Sequence, residues 1–545
     1  MKPEESPQHK SIKAAVLICM VLVVLSYCGG QISDIDFWYH LSTGRQTVHD
    51  GALPSGDPYS FSWDYTPEFR LGPGADNLRG YWMAQVIMYG AYRLAGFYGI
   101  VALRLALIMG ALWIAYAWAR RRGASQISAV FVLIIVAASM DDFCGDRPQL
   151  FSFMLAPLVL MIAEEIRREP DSLGIKIALP LVMILWANLH RGFPMGTALL
   201  GLYLIAETVD IKLLKREAPA GALMALWIVV PLSIAATLVN PNGYLTYLSM
   251  FQLEGSQLQG RISEYMSPIK LIASGKLLTG YWIILVLALG ITILKRIIMR
   301  ASGIVIILFL CGISLSAVRY VPFLLIVGGS YIASEDDISI NPDLKRWAWI
   351  GIVTLIIVML TSSFTYKVMP MIRSPYNEAV FPRAAAEQIK DRGLKGNMLN
   401  HFNWGGFLIW KLYPGQRVFV DSRTLNLKAM SDYTHMIWAT PEGMGMIDKY
   451  RMDIVIMPGL NPFTGEMYAL VDRLAGDPGW KLAYADAAAL VFVRRGSPDD
   501  AIADKVDKAE AYEHVITQAR GMKQTLANKN NLDAAIARAS RALGR

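Results

Sequence analysis

Apolar runs separated by short polar loops dominate the first 365 residues. Roughly 17–25 apolar residues cross a bilayer as a helix. Runs approaching that length fall near 12–30, 99–119, 126–140, 150–163, 173–190, 194–209, 221–239, 278–294, 303–319, 321–334 and 347–365. Several are short, so the expected count is about eleven spans. The stretch 82–96, WMAQVIMYGAYRLAG, is apolar at helical spacing but short, and reads as a helix along the outer interface. From about Tyr366 the pattern changes. PRAAAEQIKDRG reads as a helix stopped by Gly393, GNMLNHF as a short strand, and GGFLIWKLYPG as a helix or amphipathic element. QRVFVDSRT reads as a buried strand ending in Asp421 and Arg423, MDIVIMPG as a further strand, and WKLAYADAAALVFVRR as a closing hairpin. Helical stretches at 427–449 and 465–475 sit between them, which makes the pattern α/β. The end from about 500 to Arg545 reads as one or two surface helices or a partly disordered tail.

The expected architecture is a mostly α polytopic membrane protein carrying a C-terminal extracytoplasmic α/β domain. Its divisions are 1–365, with a large first outer loop at 31–98, then 366–499, then the tail 500–545. Composition agrees: 54% hydrophobic residues, 18% charged and a mean hydropathy of +0.37 exclude an ordinary soluble chain. The net charge of +8 is spread over short loops and needs no nucleic acid partner. Basic clusters at Arg120 to Arg122, Arg167-Arg168, Lys212 to Arg216, and Lys295-Arg296 with Arg300 share one side if the N-terminus is cytoplasmic. The loop 335–346 fits less well, because Glu335, Asp336 and Asp337 offset Lys345 and Arg346. This orientation puts every motif-like loop on the outer face of the cytoplasmic membrane: 31–63, 140–149, 186–194, 238–245, 261–268 and the Arg319-Tyr320 step. Polar groups at helix ends are costly near hydrocarbon unless paired or facing an aqueous cavity, so the asymmetry points to function outside.

The first outer loop carries the densest chemistry. Asp34 and Asp36 are spaced D-x-D ahead of Phe37, Trp38 and His40, and Asp57 sits in a Pro/Gly-flanked turn. Two readings stay open: an N-capped interfacial helix with an aromatic anchor, or a carboxylate pair serving as base and modulator or sharing a cation. Asp141, Asp142, Asp146 and Arg147 form a second acidic cluster, either a solvated loop or part of a site. His190 and Arg191 follow Trp186 and Asn188 at the mouth of a span, where a cation pair suits a phosphate or snorkels to the interface. Glu264 and Arg319 pair with each other or with solvent, and Asp421 with Arg423 suits an internal salt bridge. The four cysteines (Cys19, Cys28, Cys144, Cys311) lie in or beside apolar runs without C-x-x-C spacing, which indicates neither a zinc site nor a disulfide framework. The seven histidines lack i, i+4 pairs, and there is no P-loop, G-x-S-x-G or dinucleotide fingerprint.

The arrangement D-x-D-F-W-x-H-L-x-x-G-R, followed by G-x-L-P-x-x-D-P-Y-S-F, resembles the first outer loop of bacterial integral-membrane glycosyltransferases of the GT-C superfamily. RPQLFSF, WANLHRGF, NPNGY and ISEYMSP resemble further landmarks of one poorly characterised branch, and NHFNWGGFLIWKLYPGQRVFVDSRT its soluble-domain signature. The likeness covers most of 12–495. It implies inverting transfer of a sugar or oligosaccharide from a polyprenyl-phosphate-type donor to a glycan, lipid or protein acceptor on the outer face, among membrane lipids. It assigns the base to Asp36 or Asp34; separately, the need to stabilise a departing phosphate makes His40, Arg147, His190, Arg191, Arg319 and Glu264 the candidates for substrate or phosphate contacts. If the reaction is metal-dependent, Asp34, Asp36 and Asp142 would hold Mg2+ or Mn2+; the D-x-D spacing leaves that open. Arg191 stands where the branch pattern suggests a small residue. The competing classes are a transporter or flippase of lipid-linked envelope precursors and a non-catalytic envelope assembly protein. The spans carry little charge, Arg104 being one exception, which weighs against transport.

Overall fold

A computed structural model describes residues 18, 21–66, 78–248, 263–273, 277–335, 350–351, 354, 357–358, 360–423, 425–523 and 529–545. It divides into two compact units, one comprising Met1–Ile32 and Arg79–Tyr376, the other Ser33–Leu78 and Asn377–Arg545. Residues 33–78, expected with the membrane-spanning part, thus pack with the C-terminal domain.

The first unit is helical. Among the described residues three helices, Trp82–Arg121, Gln149–Arg168 and Phe193–Leu213, are long and apolar enough to cross a membrane by length and composition. Six shorter apolar helices join them: Ser128–Ser139, Leu173–Leu189, Ala222–Ala236, Thr279–Lys295, Ala301–Ser316 and Val318–Ser334. Each matches an expected run. The two remaining runs, near 12–30 and 347–365, fall partly outside the described residues, so a count of eleven is not established. The 40-residue helix from Trp82 is broken at Ala95 and Gly96, the latter at φ 61°. Glycine tolerates that left-handed turn where other residues resist it. The break separates the short amphipathic stretch from the span that follows, as the pattern of residues suggests. The residues Asp336, Asp337, Lys345 and Arg346, and Arg261 with Ile262, lie outside the described residues.

One end of this unit is a closed ionic network. Glu164 accepts from Arg168 at 2.7 Å, from Trp118 Nε1 at 2.7 Å and from Arg122 at 3.2 Å. Glu207 accepts from Arg300 at 2.7 Å and from Ser302 Oγ at 2.7 Å, and Asp210 meets Arg216 at 3.2 Å. The basic clusters are therefore not merely solvated loop charge: buried carboxylates from neighbouring helices neutralise them. Buried charges persist only when paired in this way.

The opposite end is tied by the loop 140–147. Asp141 pairs with Lys367, Asp146 with buried Arg104 at 2.7 Å, and Arg147 with Glu264 at 2.5 Å. Cys144 is joined to Cys28 by a disulfide, their Cα atoms 5.6 Å apart. That corrects the expectation that no disulfide was indicated: 116 residues separate the two cysteines, and no local spacing encodes such a pairing. The second acidic cluster is likewise corrected to a set of separate pairs, with Asp142 exposed in a short turn.

The second unit is built on a four-stranded sheet of order β1-β2-β4-β3, formed by β1 (Asn397–Asn400), β2 (Met452–Met457), β3 (Trp480–Ala485) and β4 (Leu490–Arg494). β1 and β2 run parallel, while β4 is antiparallel to both β2 and β3. The helix Arg383–Arg392 ends at Gly393, φ 69°, as expected. Asn426 and Thr440 cap the helices Leu427–Ile437 and Pro441–Lys449 by accepting from the backbone N–H groups of Ala429 and Gly443. The segment 417–423 differs from expectation: it is extended but makes only single bridges, Val418 to Met398 and to Ser60. The tail also differs. Helices Ala509–Met522 and Asn530–Ala542 contribute Ala511, Val515, Ile516, Ala519, Leu532, Ala535 and Ala539 to the core.

Candidate functional site

In the second unit, Asp36 stands at the N-cap position of the helix Phe37–Asp50, yet its side chain makes no capping hydrogen bond. The carboxylate that stabilises this turn is Asp34, whose Oδ1 accepts the Asp36 backbone N–H at 2.8 Å. The pair thus divides its labour: Asp34 serves the backbone locally, and the half-buried Asp36 does not cap the helix. Phe37 and Trp38 are fully buried rather than interfacial. Trp38 meets Phe407 and Phe381 edge-on, with ring centroids 4.9 and 5.1 Å away. Gly405 and Gly406 make that packing possible. A Cβ at Gly406 would lie 2.9 Å from Ile35 O, and one at Gly405 2.4 Å from Asp421 Cβ. His40 is buried on the same helix and stacks against Tyr39 at 4.1 Å.

Beneath this turn lies a buried ionic triad. Arg423 donates to Asp57 Oδ1 at 2.7 Å and, through Nε, to Asp421 Oδ1 at 2.7 Å, and all three side chains are 3% exposed. The expected Asp421–Arg423 bridge is present, joined by an Asp57 that sequence alone left in a turn. Trp63 Nε1 donates to the other Asp57 oxygen at 3.1 Å, and the guanidinium lies 5.1 Å from the Tyr59 ring centre. Burial by itself would raise the Asp57 carboxyl, but the charge and hydrogen bond of Arg423 outweigh it and hold the carboxyl below its ordinary value.

In the first unit, the loops after several spans converge near His190. Its Nδ1 lies 2.6 Å from Ser152 Oγ and 3.0 Å from the donating Gly192 N–H. Trp186 Nε1 donates to the same serine oxygen at 2.6 Å. Asn188 fixes the helix end by accepting from Trp82 Nε1 at 2.9 Å and donating to Val239 O at 2.7 Å. Burial, then the charges of Arg319 and Arg191, push the His190 imidazole down to about 3, so the expected His190–Arg191 cation pair is one cation and one neutral ring. Arg319 is exposed and stacks over the Tyr265 and Tyr320 rings at 4.8 and 5.7 Å. No carboxylate pairs with it among the described residues. The backbone bond from Val318 N to Met266 O, 2.9 Å, knits its loop to the Glu264–Tyr265 turn. The structure therefore brings together His190, Arg191 and Arg319, and pairs Arg147 with Glu264 beside them. Asp34, Asp36 and His40 belong to the other unit.

No family model matches the chain, and no curated protein matches it. Solved structures do. The oligosaccharyltransferase of Archaeoglobus fulgidus, tethered to an acceptor peptide with an NVT sequon, matches with a TM-score of 0.54 at 9% identity over 91% of this chain and 77% of that one. ArnT from Cupriavidus metallidurans, bound to undecaprenyl phosphate, matches with a TM-score of 0.54 at 13% identity over 90% of this chain and 99% of that one. Both are GT-C glycosyltransferases. This chain shares their fold. At these identities the likeness carries the fold and not the chemistry.

A further structure of the Archaeoglobus enzyme, TM-score 0.50, holds Zn and sulfate. In this chain, among the described residues, no group of three or more His, Cys, Asp or Glu is placed to hold a metal ion. One Asp34 oxygen is already engaged by a backbone N–H. Sequence reasoning overlooked Ser152 and Gly192, although both fall inside quoted landmarks, RPQLFSF and WANLHRGF. The available signal was a polar residue in an otherwise apolar helix start, and a glycine two residues after a His.

Proposed function

We propose that this chain is a membrane glycosyltransferase that moves a sugar or oligosaccharide from a polyprenyl-phosphate-type lipid to an acceptor on the outer face of the cytoplasmic membrane. The observation that carries this reading is Arg319: an exposed guanidinium held by tyrosine rings, with no carboxylate in ion-pair contact among the described residues, whose charge acts on the His190 ring in a GT-C fold. A guanidinium left open in this way suits phosphate oxygens. The neighbour ArnT was crystallised with undecaprenyl phosphate, which is the chemistry such a site would take. The Cys28–Cys144 bond supports the outward assignment of the His190 end, because disulfides form and persist outside the reducing cytosol.

Asp36 takes the acceptor's proton as it attacks the anomeric carbon. General-base help of this kind contributes about 10²–10⁴-fold. Arg319 and Arg191 stabilise charge as the lipid phosphate departs. A single displacement inverts the anomeric centre. The carboxylate is suited to this role because Asp34, and not Asp36, holds the turn. The test is turnover of a lipid-phosphate sugar by purified Asp36→Asn and Asp34→Asn with melting temperatures alongside. Asp36→Asn should lose about 10²-fold or more at unchanged melting temperature. Normal turnover by both single variants and the double variant would overturn the mechanism. Cell-envelope glycans and glycoproteins compared by mass spectrometry with and without the gene would identify the acceptor.

A further inference from the structure

The groups around His190 determine which of its nitrogens carries the proton. Trp186 Nε1–H donates to Ser152 Oγ at 2.6 Å, and the serine's own hydroxyl proton has His190 Nδ1 at 2.6 Å as its acceptor. The Gly192 backbone N–H donates to that same nitrogen at 3.0 Å. An indole N–H and an amide N–H can only donate. The chain of bonds therefore runs one way, into Nδ1, and the proton of the neutral ring sits on Nε2. A proton on Nδ1 would point at the Gly192 N–H and leave the Ser152 hydroxyl without its acceptor.

The packing enforces this geometry. Ser152 and Trp186 are fully buried. A Cβ at Gly192 would lie 2.5 Å from His190 Nδ1, and one at Gly196 2.4 Å from the Trp186 ring. Both glycines let backbone and indole approach this closely. The charged and titratable groups near the ring are Arg319, Arg191 and Tyr81, the last with its ring 5.6 Å away. Both cations oppose a second ring proton. His190 is partly buried, and its Nε2–H meets no partner among the described residues.

We propose that His190 is a fixed neutral Nε2–H donor to a phosphate oxygen and that Ser152 is its positioning residue, an inference resting on the lipid-phosphate reading above. Its bare nitrogen is turned inward onto two donors, so it cannot take the acceptor's proton. Unlike an imidazolium, it presents the same charge across the range where free histidine titrates.

The test uses the full chain in lipid nanodiscs with 15N-labelled histidine, the His190→Gln spectrum providing the assignment. His190 should show one proton-bearing and one bare ring nitrogen, unchanged between about pH 5 and 8. Ser152→Ala should loosen the tautomer, letting part of the ring population carry its proton on Nδ1, and Ser152→Thr, which keeps the hydroxyl, should not. A doubly protonated ring at pH 7, or a proton on Nδ1, overturns the assignment. Undecaprenyl phosphate in the nanodisc should shift the Nε2 signal. A shift with inorganic phosphate alone, or with neither, overturns the lipid-headgroup role. In turnover, His190→Ala should lose about 10²-fold, while His190→Gln, which retains an N–H near the same place, stays within about tenfold. Equal losses in the two variants overturn the donor role. The two readings fail separately, because the ring state is measured without substrate, whereas a wild-type protein lacking transfer from any lipid-phosphate sugar would sink the transferase reading.

Discussion

The two ends of the helical unit treat arginine in opposite ways. At the Glu164 end, Arg122, Arg168, Arg216 and Arg300 each reach a carboxylate within 3.2 Å, and Glu164, Glu207 and Asp210 are nearly or wholly buried. At the His190 end, Arg319 has only tyrosine rings beneath it and is open to solvent. A closed network stabilises helix packing and leaves no capacity for a ligand. An open guanidinium contributes little to stability but keeps its donors for an incoming anion. Charge in a span-rich chain is thus informative only once its partners are known.

The largest expected effect breaks the closed end. Glu164→Ala leaves buried arginines uncompensated and should cost about 3–5 kcal/mol, read as a lower melting temperature and poor recovery from membranes. A near-normal melting temperature would show that the network is not structural. Arg319→Gln should do the reverse, lowering turnover by about 10²-fold with the melting temperature unchanged; a large drop in stability would erase the contrast. A third measurement extends the comparison to the second unit. His401 is 5% exposed there, with Nε2 3.1 Å from Tyr468 and burial pushing the ring down to about 3. The unfolded ring gains a proton near its ordinary value of about 6.5 while the folded one does not. Stability from this residue is therefore full above that pH and falls as pH drops from about 6.5 toward 3, by about 1.4 kcal/mol per unit. His401→Gln should flatten this slope in denaturation of the protein across that window, and an unchanged slope would exclude His401 as its source. The smallest effect belongs to the half-exposed Arg147–Glu264 pair. A double-mutant cycle there should yield about 0–1 kcal/mol; a coupling above about 2 kcal/mol would class it with the closed end.

Span positions were legible because hydrocarbon imposes one requirement, continuous apolarity, on every crossing helix. The strands β1 and β2 and the β3–β4 hairpin were legible from short β-branched and aromatic runs bounded by turns. The extended segment 417–423 was misread as a strand because apolar composition does not reveal whether a second ladder exists to pair it. Partners were the least legible part. Glu164, Glu207 and Asp210 read as ordinary helix-end residues until the helices were assembled. Cys28 and Cys144 carried no spacing signal across 116 residues. At the candidate site, Asp36 and His190 were visible as motif residues, but their states were not. That Asp34 rather than Asp36 holds the turn, and that Ser152 faces His190, are three-dimensional facts.

The second unit's assembly from two distant stretches has a consequence for how the protein is made. Asp57 and the arginine that neutralises it, Arg423, are 366 residues apart. At about 5–20 residues per second, the ribosome finishes the first about 20–70 s before the second. Throughout that interval Phe37, Trp38, Tyr59 and Phe61, all buried in the finished unit, have no C-terminal domain to cover them. Residues 33–66 must therefore wait, incomplete, while the intervening helices are made. A nascent chain arrested before residue 377 would leave those apolar side chains uncovered and open to chaperones and proteases, which makes the stretch a timed signal of whether synthesis has passed residue 423.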